Sequence, residues 1–140
     1  MIVIPIQKVY GYITRRKEDK IQVLVFRHSN PAAGVQIPKG TVKDGEETEE
    51  AVIREIKEET GLKNFKVETL IAEDFWKNDD GAVHQRFFYE IYVTESLDEW
   101  EYQPTGGGEE KGLTFRYFWI SSPNETELVR GHGDYLDYIF

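Results

Sequence analysis

Glu55, Glu58 and Glu59 are the residues of this chain best placed to do chemistry. Residues 47–60 carry a helical pattern, with Val52, Ile53 and Ile56 as the apolar stripe. In a helix, the spacings i, i+3 and i+4 put the three carboxylates on one narrow face. Arg54 and Lys57 fall on the other side, and Ala51 lies inside the acidic arc, where a small side chain leaves room for something to approach. Like charges four residues apart cost about 0.2–0.5 kcal/mol each. Arg54 reaches back to Glu50 or forward to Glu58, but one cation does not neutralise three acids. A divalent cation does, and hard oxygen ligands suit Mg2+, Mn2+ or Ca2+. The competing explanation is a solvated acidic face, which is common on Glu-rich helices.

The flanks narrow the choice. Gly61 follows the acids and supplies a left-handed stop for the helix, after which Leu62 packs back. Upstream, Pro38-Lys39-Gly40 and Asp44-Gly45 form a loop rich in turn signals, and Glu46 stands within reach of the helix N-terminus.

These residues carry a family signature. Gly40, five residues, Glu46, seven residues, then Arg54-Glu55-Ile56-Lys57-Glu58-Glu59-Thr60-Gly61-Leu62 matches the Nudix box across 40–62. The chain therefore resembles a Nudix (MutT-like) hydrolase. The resemblance implies an α/β/α sandwich with a mixed β-sheet between helices, in one domain over 1–140. It implies Mg2+- or Mn2+-dependent hydrolysis of a pyrophosphate bond in a nucleoside diphosphate linked to another moiety. Carried over by position, Glu55, Glu58 and Glu59 look like metal ligands, and Glu46 looks like a supporting residue beside them. Arg54 looks like the residue that orients a catalytic glutamate. In the family the general base is a box glutamate such as Glu58 or one on a later loop. Glu109 and Glu110, after Gly106-Gly107-Gly108, are the loop candidates.

Substrate signals are thinner. Pro38-Lys39-Gly40 is similar to the lead-in of dinucleoside polyphosphate hydrolases, with Lys39 and Gly40 near a phosphate. That subgroup's downstream Tyr is missing, because the region holds Trp76, Lys77, Asn78 and Asp79. The Pro usual in the ADP-ribose subgroup is missing too. Trp76 is a candidate for stacking on a base. His28 and His84 read as surface or hydrogen-bonded strand-end residues, and His132, between two glycines, reads as exposed and able to meet a phosphate. The alternative to catalysis is an inactive Nudix-fold nucleotide sensor or interaction domain, although such domains usually degrade the box. A diphosphate isomerase would want a Cys, and this chain has none.

The elements that must position this site fit one domain of 140 residues. Apolar residues make up 39% and argue for a folded core. A net charge of −9 points away from long nucleic acid and towards a small nucleotide. Without Cys there are no disulfides or thiolate metal sites, which suits a reducing, cytoplasmic setting. The apolar run at Ile2–Ile6 is too short for a signal core or a membrane span. Strands are predicted at 2–14 with a break near Pro5, then at 21–27, 35–37, 65–74, 84–94 and 113–121. A charged turn is predicted over 15–20, and helices over 126–130 and 134–140.

Overall fold

The computed structural model describes residues 4–105 and 112–140. Its elements in chain order are β1 (Ile6–Lys17), β2 (Lys20–His28), β3 (Val35–Gln36), β4 (Lys39–Thr41), α1 (Thr48–Thr60), β5 (Phe65–Lys77), β6 (Val83–Val93), β7 (Glu99–Tyr102) and β8 (Phe115–Ile120). The sheet runs β5-β6-β1-β2-β8-β7. Among the described strands, β1 and β6 alone form a parallel ladder, so the sheet is mixed, as expected.

The sheet splits where the site lies. β1 and β2 pair only from Thr14–Val23 to the turn. Beyond that they diverge, with β4 pairing β1 at Lys8–Tyr10 and β3 pairing β2 at Phe26–Arg27. The segment 35–41 is thus a wedge between two strands, pinned at its tip by Gly11 N–H donating to the Pro38 carbonyl at 2.9 Å. Pro38 has no N–H to offer a ladder, so a tip position costs it nothing.

Both faces of the sheet are apolar, which explains strands without a polar side. Val9, Ile13, Leu24, Phe26, Phe87 and Ile91 face α1, and they bury Ala51, Val52 and Ile56. Gly11 lets the helix close in, because a Cβ there would meet Ile56 Cδ1 at 3.2 Å and Ile91 Cδ1 at 3.1 Å. Tyr10, Tyr12, Val23, Val25 and Phe88 face the opposite side and are covered by Leu136 and Ile139.

Several expectations change. The charged turn contracts to Glu18-Asp19, both at positive φ, the two-residue geometry that matches strand twist. β7 went unread in the sequence, although Trp100 and Tyr102 alternate with Glu99 and Glu101. No regular helix forms at 126–130, where Leu128 instead bridges to Val35. At 134–140 there is only a 3-10 turn, Leu136–Tyr138. The second covering layer is therefore an irregular C-terminal segment. Among the described residues, no helix is long and apolar enough to cross a membrane.

Candidate active site

α1 starts where Glu50 Oε1 accepts the Glu47 N–H at 2.9 Å, and it stops at Gly61, whose φ is 76°. At that end Thr60 Oγ1 accepts the Leu62 N–H at 3.0 Å and turns the chain back into the core. These ends fix the register of the acidic face. Ala51 is fully buried against the sheet, so its small size serves helix packing and not a ligand. Glu59 is 1% exposed, deeper than an acidic surface stripe would put it. One of its carboxylate oxygens accepts the Lys39 N–H at 3.3 Å, and its carbonyl accepts the Tyr117 hydroxyl at 2.7 Å.

Arg54 organises the rest. Its Nε and Nη2 donate to the two oxygens of Glu46 at 2.8 and 3.0 Å. Nη1 donates to Glu55 at 2.7 Å and to Glu58 at 3.3 Å, and Nη2 also reaches the Thr41 carbonyl at 2.9 Å. The main partner is thus Glu46, eight residues upstream, and not Glu50. Glu46 is held in turn by the Lys43 N–H at 2.9 Å. The bidentate bond from Arg54 pulls the Glu46 carboxyl down to about 2. The same bond, led by Glu46 and then Glu55, raises the pKa of Arg54 further. The guanidinium therefore keeps its charge and carries three of the four carboxylates.

Gly40 makes room for Glu55. A Cβ on it would lie 1.9 Å from the Glu55 carboxyl carbon and 2.2 Å from Oε1, so only glycine admits that carboxylate. Because the clash is with the end of a flexible side chain, Gly40→Ala displaces Glu55 more than it strains the fold. The expected result is turnover lowered about 10²-fold, the scale of a 1 Å misplacement, with little change in thermal midpoint. A variant that melts many degrees lower with unaltered specific activity would contradict this.

Removing Arg54 leaves Glu46, Glu55 and Glu58 without their shared cation. Arg54→Ala is expected to lower stability by about 2 kcal/mol, read from urea midpoints at pH 7. For Glu46 the sign runs with acid. Its folded value lies below the usual 4.5, so its contribution is present above that value and is lost as pH falls towards about 2.

On the opposite face of the sheet, the C-terminal segment ties into the wedge. His132 is buried, not exposed: Gly131, at φ 89°, permits the turn that tucks it in. Its Nδ1 accepts the Ile37 N–H at 3.1 Å, and its carbonyl accepts the Tyr12 hydroxyl at 2.7 Å. Ile37 lies in the gap between β3 and β4, so this ring takes the place of a strand partner. Burial first, then Lys39 and Arg86, pushes the imidazole down to about 3. The unfolded chain thus binds the extra proton, and stability falls as pH drops from 6.5 towards about 3. Urea midpoints at pH 7 and pH 4.5 should show a smaller loss in His132→Asn, whose amide oxygen accepts without titrating. An identical loss in both proteins would contradict the assignment.

The structure brings together Glu46, Arg54, Glu55, Glu58, Glu59, Gly40 and the backbone of Lys39. Lys39 pairs with Tyr10, whose side chain faces away from α1, so the Lys39 side chain lies on the opposite face. Trp76 also lies on that face, half-buried, with the Arg86 and Arg130 guanidinium carbons 5.1 and 5.8 Å from its ring centre. It is not part of the carboxylate cluster. His84 packs edge-on to Trp76 at 5.8 Å, and His28 Nδ1 accepts the Asn30 N–H at 3.2 Å. Glu109 and Glu110 lie outside the described residues.

For a cation, the donor set is hard carboxylate oxygen, and Gly40 opens the space that Glu55 fills. Among the described residues, no three acidic or His side chains already converge as ligands. Glu55 and Glu58 are instead turned to Arg54. The residues fit a divalent ion by chemistry.

Residues 6–138 match the family model of the NUDIX domain, and the chain belongs to that family. It is 55% identical over 57 residues to an ADP-ribose pyrophosphatase of Methanocaldococcus jannaschii, a stretch covering 40% of this chain and 32% of that protein. The fold is shared with the NUDIX domain of Shewanella oneidensis NrtR complexed with ADP ribose. There the TM-score is 0.67 at 15% identity, covering 99% and 86% of the two chains. It is shared too with a binary complex of C. elegans Ap4A hydrolase, at TM-score 0.63 and 21% identity, covering 83% and 80%. The chain spans about half or less of the length of the curated relatives it matches.

Proposed function

We propose that this chain is a metal-dependent pyrophosphohydrolase of a nucleoside diphosphate linked to another moiety. The observation that carries the reading is the set of Glu46, Glu55 and Glu58 around Arg54, with buried Glu59 alongside. A purely structural role would need one carboxylate for one guanidinium. When bound at Glu55 and Glu59, with Glu58 beside them, Mg2+ or Mn2+ would supply neutralisation of the pyrophosphate charge and a water of lowered pKa. The chain's own part is to hold those oxygens in place. Arg54 and Gly40 position Glu55, and the Lys39 N–H positions Glu59. Glu58, at 28% side-chain exposure, is the most accessible of the three and takes the proton from the attacking water.

Two substrates deserve the first assays. Pro38-Lys39-Gly40 favours a dinucleoside polyphosphate, while the likeness to an ADP-ribose pyrophosphatase favours ADP-ribose. Both present a pyrophosphate to the same carboxylates. The test is product release from dinucleoside polyphosphates, ADP-ribose, nucleotide sugars and oxidised nucleoside triphosphates, each with Mg2+ or Mn2+. Turnover of ADP-ribose far above all others would remove the dinucleoside reading and keep the class. Binding of nucleotide and metal with no product from any of them would leave a sensor.

A further inference from the structure

Arg27 on β2 stands directly opposite Arg116 on β8. Like charges at facing positions of an antiparallel pair are destabilising. This chain, with a net charge of −9, has acids in excess to place there instead. Arg116 is matched by Glu101 at 2.8 Å, a pair that is mostly exposed and so weakly held. Among the described residues, no carboxylate forms an ion pair with Arg27. Its guanidinium carbon lies 5.3 Å from the Phe118 ring centre, which orients the planar group and leaves its donor edges open.

Both arginines line a cavity of about 530 Å³ at the ends of these strands, together with Glu101, His28, Ser29 and Thr114. That volume lies within the usual range for small-molecule sites and exceeds what a single phosphate fills. Two guanidinium forks suit the paired oxygens of a phosphate, and the Ser29 and Thr114 hydroxyls add donors that follow either oxygen. None of these residues belongs to the carboxylate cluster on α1.

We propose that the cavity between the ends of β2 and β8 binds a phosphate-bearing small molecule through Arg27 and Arg116. The phosphate comes either from the far end of the hydrolase substrate or from a separate phosphate ester. The site stands without the hydrolase reading, so it is tested without turnover.

Pyrophosphate is titrated into the metal-free protein while the side-chain N–H signals of the arginines are followed by NMR. Without a divalent ion the carboxylates on α1 repel this probe. The expected result is saturable shifts at Arg27 and Arg116, with affinity lowered roughly tenfold in Arg27→Gln and in Arg116→Gln. Glu101→Gln removes the competing carboxylate and tightens binding. These side chains are exposed, and a circular dichroism spectrum verifies that each variant is folded. Adding ADP-ribose separates the two sources: displacement of pyrophosphate assigns the phosphate to the substrate, and joint binding assigns it to a separate ester. Unmoved Arg27 and Arg116 signals, or wild-type affinity in both arginine variants, would overturn the proposal.

Discussion

Glu58→Gln is expected to lower turnover by about 10²–10⁴-fold with the fold intact. The substitution keeps the side chain's shape and removes its charge and basicity. Glu58 lies on the rim of α1, and its carboxylate makes only the longest of the Arg54 bonds, at 3.3 Å. Its carbonyl accepts the Thr105 N–H at 3.0 Å, a bond the variant keeps. Little stability therefore depends on the carboxylate, and the loss falls on chemistry. Loss of a metal ligand would cost as much as loss of a base, so magnitude alone does not separate them. The pH–rate profile does. If Glu58 is the base, the variant loses the acidic limb of the wild-type profile and raised Mg2+ restores nothing. If Glu58 is a ligand, raised Mg2+ recovers part of the rate and the limb remains. Turnover within twofold of wild type would exclude both roles.

The acidic face was legible because one helix writes it in a single stretch of sequence. Gly40, Glu46, Arg54 and Gly61 lie within 23 residues of each other, so their types and spacing are visible without the fold. Which of them touch was less legible. An i,i+4 rule pairs Arg54 with Glu58 or Glu50, whereas the preceding loop brings Glu46 back to take the two best bonds. That return depends on the tight turn at Lys43–Glu46, with Gly45 at φ 77°. The depth of Glu59 was hidden for a similar reason. Helical spacing gives angles around the axis, but the wedge, whose Lys39 N–H reaches Glu59, decides which angle is under cover.

The far face was the least legible. Gly131-His132-Gly133 looks like an exposed loop in sequence, because glycines usually mark surface turns. Here they allow the chain to fold under, so that His132 replaces a missing strand partner for Ile37. That contact joins residues 95 apart, and no local pattern announces it. The C-terminal helices failed likewise. Leu128 is an apolar residue in the first predicted segment, and Leu136 and Ile139 have helical apolar spacing in the second. Their partners, though, are Val35 and the tyrosine face of β1, which an irregular segment reaches with fewer residues. The Arg27–Arg116 pair was invisible until the β2–β8 register placed one opposite the other.

The second large effect concerns the ion itself. Glu55 and Glu59 are side by side at the wedge, one on Gly40 and the other on the Lys39 N–H. Glutamine in both places keeps their volumes and removes two negative charges from the set. A hard divalent ion loses most of its attraction there, because a neutral amide oxygen is a far weaker ligand than a carboxylate. Manganese suits the measurement, since free Mn2+ has a strong paramagnetic resonance signal that vanishes on binding. Titrated into wild type, Mn2+ should lose signal with a saturable stoichiometry. Titrated into Glu55→Gln/Glu59→Gln, it should keep the full signal of free ion over the same range. Saturable binding of equal affinity in the double variant would contradict the account, because the ion would then sit away from the acidic face of α1.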